Sequence, residues 1–277
     1  MRFEFADKAP LVVVEARLNN KGPFKFIVDT ASSVTVVGRE AAEVLGIHQD
    51  SNSTISGCCS SKVLAVGSIQ IGGIHKSKVP IVLGNLSRLS EETSTRLDGI
   101  IGSPFLKDYQ VVIDYPRREI AFQESGQEHK LLTKFRLVSN ANFIVVETEL
   151  NERGPFNFLV DTGATKTVVT KQIGQIFGLH GISCGGKKAL SGSFAGATMS
   201  LSKVKSVQVG KAKSTDVEVG VQDLQSLCDG VGVPLDGVLG YTFMKDYRVT
   251  INYPKREMSF EKEDESEIDG SSKEVRR

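Results

Sequence analysis

Short runs of apolar residues alternate along this chain with polar segments that contain glycine, proline or serine. Short runs rich in valine, isoleucine and phenylalanine are typical of buried β-strands. In the first half of the chain they predict strands at residues 11–14, 24–28, 34–37, 68–71, 79–83, 111–114 and 119–122. In the second half they predict strands at residues 143–146, 156–160, 167–169, 206–209, 217–221, 249–252 and 257–260.

Helical signals are few, and they occupy the same place in both halves. Residues 39–45 and 171–177 each predict one short helix, which Gly46 and Gly178 end. Glycine is the preferred residue just past a helix terminus. The whole pattern therefore predicts an all-β fold with short helices.

The chain contains an internal duplication. Residues 22–37 read GPFKFIVDTASSVTVV and residues 154–169 read GPFNFLVDTGATKTVV, with 10 of 16 positions identical. Residues 97–122 return at 235–260, with 15 of 26 positions identical. Equivalent residues are 132 apart in the first pair of segments and 138 apart in the second. Such a duplication predicts two similar lobes related by a pseudo-two-fold axis.

The duplication also indicates where the lobes divide. We expect an N-terminal lobe at residues 1–126 and a C-terminal lobe at residues 127–262, each near the common size of a domain. A polar segment near residues 123–130 joins them. Residues 263–277 are charged and poor in apolar side chains, which predicts a disordered tail or a linker.

Composition limits the classes of partner. The 277 residues include 34 basic and 33 acidic side chains, for a net charge of +1, and the mean hydropathy is −0.10. This balance gives no positive field for a polyanion, so we expect no nucleic-acid partner. No apolar run approaches the length of about 18 residues typical of a membrane span, so we expect no membrane partner.

The cysteines and the N-terminal residues indicate the cellular compartment that we expect for this protein. The four cysteines, with Cys58 and Cys59 adjacent, have no spacing typical of a disulfide framework or a zinc site. The first residues lack the basic region and apolar stretch of a signal peptide. Together these features favour reduced thiols, a cytoplasmic protein and no bound metal.

Two aspartates are the candidate catalytic groups. Asp29 and Asp161 each follow a predicted apolar strand, and each copy later carries two apolar residues and a glycine, at 100–102 and 238–240. A pseudo-two-fold axis would bring the two carboxylates together. Two carboxylates held about 3 Å apart share one proton and titrate as a pair. The ionised member then activates water as a general base, and the protonated member acts as a general acid.

The Asp-Thr pairs and the paired glycine elements resemble those of aspartic proteases. The likeness is closest to retropepsin-like (retroviral-type) enzymes, particularly prokaryotic relatives, and it spans nearly all of residues 10–262. It implies two fused lobes with the active site at their interface. It further implies an aspartic endopeptidase that uses water activated by Asp29 and Asp161, acts on a peptide or protein and needs no cofactor. Because one chain carries both lobes, we expect a monomer.

The resemblance also assigns supporting roles by position. Thr30 and Thr162 are expected to form hydrogen bonds across the interface and to hold the two loops in register. Ser32 and Ala164 are expected near the outer oxygens of the carboxylates. The remaining positions that support the aspartates are Ala31 and Gly163.

One substrate-covering hairpin, or flap, is expected in each lobe. The segments at 55–63 and 190–199 are rich in glycine and serine, which suits a lid that opens and closes. The alternative is an ordinary exposed hairpin. Their unequal tips predict an asymmetric cleft. The candidate flap residues are Gly57, Cys58, Cys59, Ser60, Gly192, Ser193, Phe194, Ala195 and Gly196.

The first copy departs from the family pattern, because Ala31 stands where the second copy has Gly163. Alanine resists the positive φ that glycine permits, and such a φ would impose strain of about 1–2 kcal/mol beside the first aspartate. At negative φ the alanine is harmless and donates the same N–H. The small neighbours Ser32 and Ser33 favour the tolerant case.

Two other interpretations remain open at the level of sequence. The chain could be a catalytically weak or inactive retropepsin-fold protein that binds peptides or serves as a scaffold, which Ala31 and the unequal flaps support. Alternatively, Asp29 and Asp161 could be turn or N-cap residues of a duplicated binding module. The strand that leads directly into each Asp-Thr pair favours the enzyme.

Overall fold

The computed structural model describes residues 1–48, 55–56, 59–60, 62–124, 132–179, 182–188 and 198–262. Every strand predicted from the apolar runs is present, so the mostly β character is confirmed. The segment expected to join the lobes lies largely outside the described residues, and the charged tail at 263–277 lies wholly outside them.

The first half contains strands with short helices between them. The strands are β1 (Glu4–Ala6), β2 (Ala9–Leu18), β3 (Lys21–Val28), β4 (Thr35–Gly38), β5 (Ile55–Ser56), β6 (Cys59–Ser60), β7 (Leu64–Ile71), β8 (Ile74–Gly84), β9 (Gly99–Ile101), β10 (Gln110–Asp114) and β11 (Glu119–Gln123). The helices are α1 (Arg39–Leu45), α2 (Ser87–Thr93) and α3 (Ser103–Leu106). The helix predicted at 39–45 is confirmed, and Gly46 ends it in a left-handed conformation.

The second half repeats this arrangement. Its strands are β12 (Thr133–Lys134), β13 (Arg136–Val138), β14 (Phe143–Leu150), β15 (Arg153–Val160), β16 (Thr167–Thr170), β17 (Ile182–Lys188), β18 (Thr198–Val209), β19 (Ala212–Gln222), β20 (Gly237–Leu239), β21 (Arg248–Asn252) and β22 (Glu257–Glu261). Its helices are α4 (Lys171–Ile176), α5 (Gln225–Val231) and α6 (Tyr241–Met244). The predicted second helix is confirmed to within one residue.

Each half folds one large sheet into a barrel-like lobe with corresponding strand order. In the first lobe the order is β1-β2-β3-β9-β4-β8-β6-β5, and β7 pairs with both β2 and β8. In the second lobe it is β13-β14-β15-β20-β16-β19-β18-β17, with an additional pairing of β14 with β18. The two lobes are therefore copies of one unit, as the duplication predicts.

A third sheet joins the two halves. Its order is β11-β10-β21-β22-β12, and the antiparallel pair β10 and β21 comes from opposite halves. Val112 lies opposite Thr250 in the middle of this pair, and the two residues are equivalents in the duplication. Residues that pair with their own equivalents lie on the symmetry axis. The pseudo-two-fold axis therefore passes through the centre of this sheet.

One continuous apolar core extends through both lobes and the shared sheet. It includes Val111 and Ile113 of β10 together with Val249 and Ile251 of β21. These side chains are shielded from water only while the lobes remain together. Burial of this surface therefore fixes the position of one lobe relative to the other.

Two buried tyrosines follow β10 and β21 in equivalent positions. The hydroxyl of Tyr115 lies 3.9 Å from the sulfur of Met244. The hydroxyl of Tyr253 has no hydrogen-bond partner among the described residues. The duplication explains this difference, because the equivalent of Met244 in the first copy is Leu106, whose side chain offers no acceptor.

We expect Tyr253→Phe to raise the free energy of unfolding by about 1 kcal/mol, because it keeps the ring and removes a buried hydroxyl that has no partner in the described part of the chain. Tyr115→Phe is the matched control, and it should change the free energy of unfolding by less than about 0.5 kcal/mol, because sulfur is a weak acceptor. Urea unfolding of both variants measures the difference. Destabilisation of Tyr253→Phe by about 1 kcal/mol would instead indicate a bound partner such as a buried water molecule.

Candidate active site

Asp29 and Asp161 lie at equivalent strand ends that meet at the lobe interface. Asp29 follows β3, and its N–H donates to the carbonyl of Ile101 at 3.0 Å. Asp161 follows β15, and its N–H donates to the carbonyl of Leu239 at 3.1 Å. These acceptors end β9 and β20, which run parallel to β3 and β15. The backbone of each lobe thus fixes the start of its own aspartate loop.

Glycine is required after β9 and β20, because the loop that follows each aspartate passes close to the backbone there. A Cβ atom built on Gly102 would lie 2.2 Å from the carbonyl oxygen of Val34. One built on Gly240 would lie 2.2 Å from the carbonyl oxygen of Lys166. No side chain fits at these distances, which explains why both copies place a glycine after two apolar residues.

Two threonines connect the aspartate loops across the interface. The N–H of Thr30 donates to the hydroxyl oxygen of Thr162, and the N–H of Thr162 donates to that of Thr30, both at 3.1 Å. The hydroxyl of Thr30 donates to the carbonyl of Val160, and that of Thr162 donates to the carbonyl of Val28, both at 2.8 Å. Both threonines are buried. These four bonds couple the position of each loop to the other lobe.

The two aspartate side chains lie within hydrogen-bonding reach of each other. Asp29 accepts a bond from the N–H of Ala31, and Asp161 accepts one from the N–H of Gly163, both at 2.8 Å. Asp29 is 8% exposed and Asp161 is 1% exposed. Two carboxylates this close and this buried strongly disfavour the doubly ionised state.

The pKa of Asp29 is raised above its ordinary value. Desolvation of the buried carboxylate is the largest cause. Hydrogen bonds from the N–H of Ala31, from Asp161 and from the N–H of Ser32 oppose the rise without cancelling it. The pair therefore retains a proton at pH values at which an exposed aspartate is ionised.

Ala31 introduces no strain in the backbone, because its φ is not positive. The position is still not equivalent to Gly163. A Cβ atom built on Gly163 would lie 2.8 Å from both Cγ and Oδ2 of Asp29. The second copy therefore needs glycine for space rather than for φ, whereas the first copy accepts a methyl group. The surroundings of the two aspartates are asymmetric.

The next residue in each loop acts through its backbone. The hydroxyl of Ser32 donates to the carbonyl of Val34 at 2.8 Å, within its own loop. The N–H of Ser32 lies against the carboxylate of Asp29. Ala164 is buried, and its carbonyl accepts a bond from the N–H of Tyr241 at 2.9 Å. Both residues anchor their loops next to the aspartates.

Two further aspartates brace the strands below the site. The carboxylate of Asp98 accepts a bond from the N–H of Lys25 at 2.9 Å, and that of Asp236 accepts one from the N–H of Asn157 at 2.8 Å. These bonds tie the entries of β9 and β20 to the neighbouring strands β3 and β15. The two residues have a structural role.

A family model described as aspartyl protease matches this chain over residues 14–105 and 146–243. The two matched regions each contain one Asp-Thr pair of the duplicated motif and one glycine element. The chain belongs to the aspartyl protease family. Together with the two equivalent lobes, the match identifies a two-lobed, retropepsin-like member of that family.

A solved plant structure shares the fold of this aspartyl protease family member. The crystal structure of Basic 7S globulin from soybean matches with a TM-score of 0.52 and 10% sequence identity, over 94% of this chain and 93% of that chain. At this identity the likeness shows the fold alone. No curated protein matches the chain significantly by sequence.

The expected flaps of this family member fall only partly within the described residues. The strands β5 and β6 pair as an antiparallel hairpin, and Cys59 and Ser60 belong to β6. Gly57 and Cys58 lie outside the described residues. The candidate residues of the second flap also lie outside them, namely Gly192, Ser193, Phe194, Ala195 and Gly196.

Tyr115 and Tyr253 lie near the aspartate pair, although the sequence pattern gives them no functional role. Burial raises the pKa of both, and a nearby aspartate adds to the rise, Asp161 for Tyr115 and Asp29 for Tyr253. Both tyrosines therefore remain neutral. Both tyrosines belong to a duplicated segment, which reads Asp-Tyr-Pro in the first copy and Asn-Tyr-Pro in the second. A tyrosine that precedes a turn proline does not by itself indicate burial near a carboxylate.

In the part of the chain that the structure describes, no group of three or more His, Cys, Asp or Glu side chains is placed to hold a metal ion. Among those residues, no helix is both long and apolar enough to cross a membrane. Cys228 is a free thiol.

Gly163→Ala should lower kcat/KM by about a hundredfold, because its methyl group displaces the Asp29 carboxylate and misplacement of a reacting group by about 1 Å has that effect. Ala31→Gly is the matched variant, and it should change kcat/KM by less than about tenfold because the backbone there needs no positive φ. Steady-state kinetics on one peptide, with circular dichroism as a check of folding, measures both. Abolished activity in Ala31→Gly, or full activity in Gly163→Ala, would refute this description of the loops.

Asp29→Asn should raise the melting temperature at pH 7 by about 2–4 °C. Because the folded-state pKa of Asp29 is raised, the folded protein binds more protons than the unfolded chain above the ordinary aspartate pKa, and stability falls as pH rises through that window. An amide cannot ionise, so the gain should vanish near about pH 3, where both states are protonated. Thermal unfolding across pH measures this, with the exposed Asp229→Asn as control. An equal gain at both pH values would contradict the assignment.

Proposed function

We propose that the protein is an aspartic endopeptidase with Asp29 and Asp161 as its catalytic residues, acting on a peptide or protein substrate. The observation that carries the proposal is the buried carboxyl pair at the interface of two equivalent lobes. The reciprocal bonds of Thr30 and Thr162 support it, because they hold the pair together in advance of any substrate. Membership of the family supports the reaction class.

The first step adds water to the scissile carbonyl. With its raised pKa, Asp29 holds the shared proton, and Asp161 is ionised. Asp161 takes a proton from a water molecule between the carboxyl groups as the water oxygen bonds to the carbonyl carbon. Asp29 gives its proton to the carbonyl oxygen. A neutral tetrahedral diol results, and the protonation of the pair is reversed.

The second step breaks the peptide bond. Asp161 gives its proton to the amide nitrogen, and the C–N bond breaks with departure of the amine. Asp29 takes a proton from a diol hydroxyl as the new carboxyl group forms. The pair thus returns to its starting protonation, and neither aspartate forms a covalent bond with the substrate.

The architecture suggests how a substrate would lie. We assign one lobe to residues 1–126 and the other to residues 127–262, with the peptide extended in the cleft between them and covered by the flap hairpins. Extended peptides are held by main-chain hydrogen bonds, which suits a cleft bordered by strands. Because one chain supplies both aspartates, the monomer contains the complete pair.

The competing proposal is a catalytically weak peptide-binding protein. Its support in sequence was the alanine of the first copy. The backbone at Ala31 has no positive φ, and its N–H reaches the Asp29 carboxylate at 2.8 Å. The departure from glycine therefore gives no reason to expect a disabled pair.

A peptide-library digest read by mass spectrometry from about pH 3 to about pH 8 tests the function. Wild type should cleave, and Asp29→Asn and Asp161→Asn should each lose at least about a hundredfold in rate, the scale of acid–base catalysis. The exposed Asp229→Asn is the matched control and should retain activity. Because the pKa of Asp29 is raised, activity should extend to higher pH than an unperturbed pair would allow. Failure of wild type to cleave at any pH, or cleavage that survives both aspartate variants, would refute the proposal.

A further inference from the structure

Lys76, in β8 of the first lobe, is a lysine whose side chain is largely buried. The side chain is 17% exposed, and its ammonium group donates to the carbonyls of Pro104 at 2.7 Å and Phe105 at 3.2 Å. The same group forms an ion pair with Asp108. An ammonium group has three N–H donors, so these three acceptors satisfy all of them.

Two aromatic rings complete the surroundings of this ammonium group. The nitrogen of Lys76 lies 5.9 Å from the ring centre of Phe105 and 5.8 Å from that of Tyr109. Both distances are within the range at which the face of an aromatic ring attracts a cation. Carbonyls, a carboxylate and two rings therefore all favour a cation at this point.

The carbonyls that Lys76 binds belong to α3, and α3 is bonded to the loop that carries Asp29. The N–H of Ser103, the first residue of α3, donates to the carbonyl of Ser32 at 2.9 Å. The N–H of Ser32 in turn lies against the Asp29 carboxylate. Two hydrogen bonds therefore connect the helix that Lys76 binds to the first aspartate.

The second copy attaches the equivalent helix, α6, in a different way. The hydroxyl of Thr242, in α6, donates to the carbonyl of Glu218 at 2.9 Å. The same hydroxyl accepts a bond from the N–H of Thr167 at 2.9 Å. A single side chain within α6 thus ties that helix to β19 and β16.

The first copy has no such hydroxyl. Pro104 stands at the position equivalent to Thr242. Lys76 binds the carbonyl of that proline, whereas its own equivalent is Ser214, which is neutral and donates to the hydroxyl of Tyr247 at 3.1 Å. The lysine therefore supplies in one copy the attachment that the threonine supplies in the other.

We propose that Lys76 is a positioning residue, which holds α3 and thereby places the Ser32 N–H against the carboxylate of Asp29. The inference rests on the proposed peptidase function only for its effect on the reaction rate. Loss of the ammonium group would leave the Asp108 carboxylate and two carbonyls of α3 without this donor. A single helical turn is marginally stable by itself, so α3 depends on such contacts for its position.

Lys76→Met should lower kcat by about tenfold and leave KM within about twofold, because a small displacement of Asp29 slows the reaction without altering the surface that binds the peptide. Lys76→Arg should keep kcat within about threefold of wild type, since a guanidinium group can donate to the same carbonyls. Lys78→Met removes an exposed lysine of the same strand, and it should change neither constant. Steady-state kinetics on one peptide, with circular dichroism as a check of folding, measures all three.

A titration of the aspartate pair distinguishes positioning from a general loss of structure. The Ser32 N–H stabilises the ionised form of Asp29, so its withdrawal should raise the upper apparent pKa of the pair. Carboxyl-carbon NMR of the full chain should show a rise of about 0.5 pH unit in Lys76→Met and no change in Lys78→Met. The basic limb of the pH dependence of kcat/KM should move to higher pH by a similar amount.

Two further variants keep the test decisive if Lys76→Met does not fold. Lys76→Gln retains one donor group, and it should change kcat and the pKa of the pair in the same directions by smaller amounts. Asp108→Asn removes the carboxylate charge but leaves both carbonyl bonds of the lysine, so kcat should stay within about twofold of wild type.

The outcomes separate the positioning role from the function. Full activity in Lys76→Met, a fall in kcat without a rise in the pKa of the pair, or equal effects of Lys76→Met and Lys78→Met would overturn the positioning role. A rise in the pKa of the pair in a protein that cleaves no peptide at any pH would support that role and overturn the peptidase function. Neither cleavage nor a rise in pKa would overturn both.

Discussion

The reciprocal hydrogen bonds of Thr30 and Thr162 are the constraint on which the site depends. Two carboxyl groups at a lobe interface repel each other when both are ionised, and separation of the lobes would relieve that repulsion. The threonine bonds, together with the shared sheet centred on Val112 and Thr250, oppose separation. The backbone therefore sets the geometry first, and the shared proton of the pair is its consequence.

Burial then decides the chemistry that this geometry allows. The N–H groups of Ala31 and Ser32 stabilise the ionised form of Asp29, yet desolvation outweighs them, and the pKa rises. The neutral tyrosines that follow β10 and β21 belong to the same buried core, which keeps water from the far side of the pair. A pair that retains its proton is prepared to act as acid and base in one step.

Local pattern was sufficient to predict the strands, the short helices, the duplication and the aspartate–glycine elements, because each is encoded by neighbouring residues. Local pattern could not predict the contacts between the two copies. The need for space at Gly163 comes from Asp29, in the other lobe. Within the described residues the hydroxyl of Tyr253 has no partner, and this follows from Leu106, which is distant in sequence. A cleft lined by Lys8 of the first lobe and Lys166 of the second forms only where the two lobes meet.

Fusion of the two copies in one chain explains why such asymmetry is possible. In a symmetric dimer of identical lobes, every substitution appears on both sides of the axis, so an alanine tolerated at position 31 would also occur at the crowded position of Gly163. Here the alanine is confined to one copy, and so are the charges of Lys166 and Lys203. A peptide has a direction, and its two ends differ. A cleft whose two ends carry different side chains can recognise that direction, whereas a symmetric cleft presents the same surface to both ends.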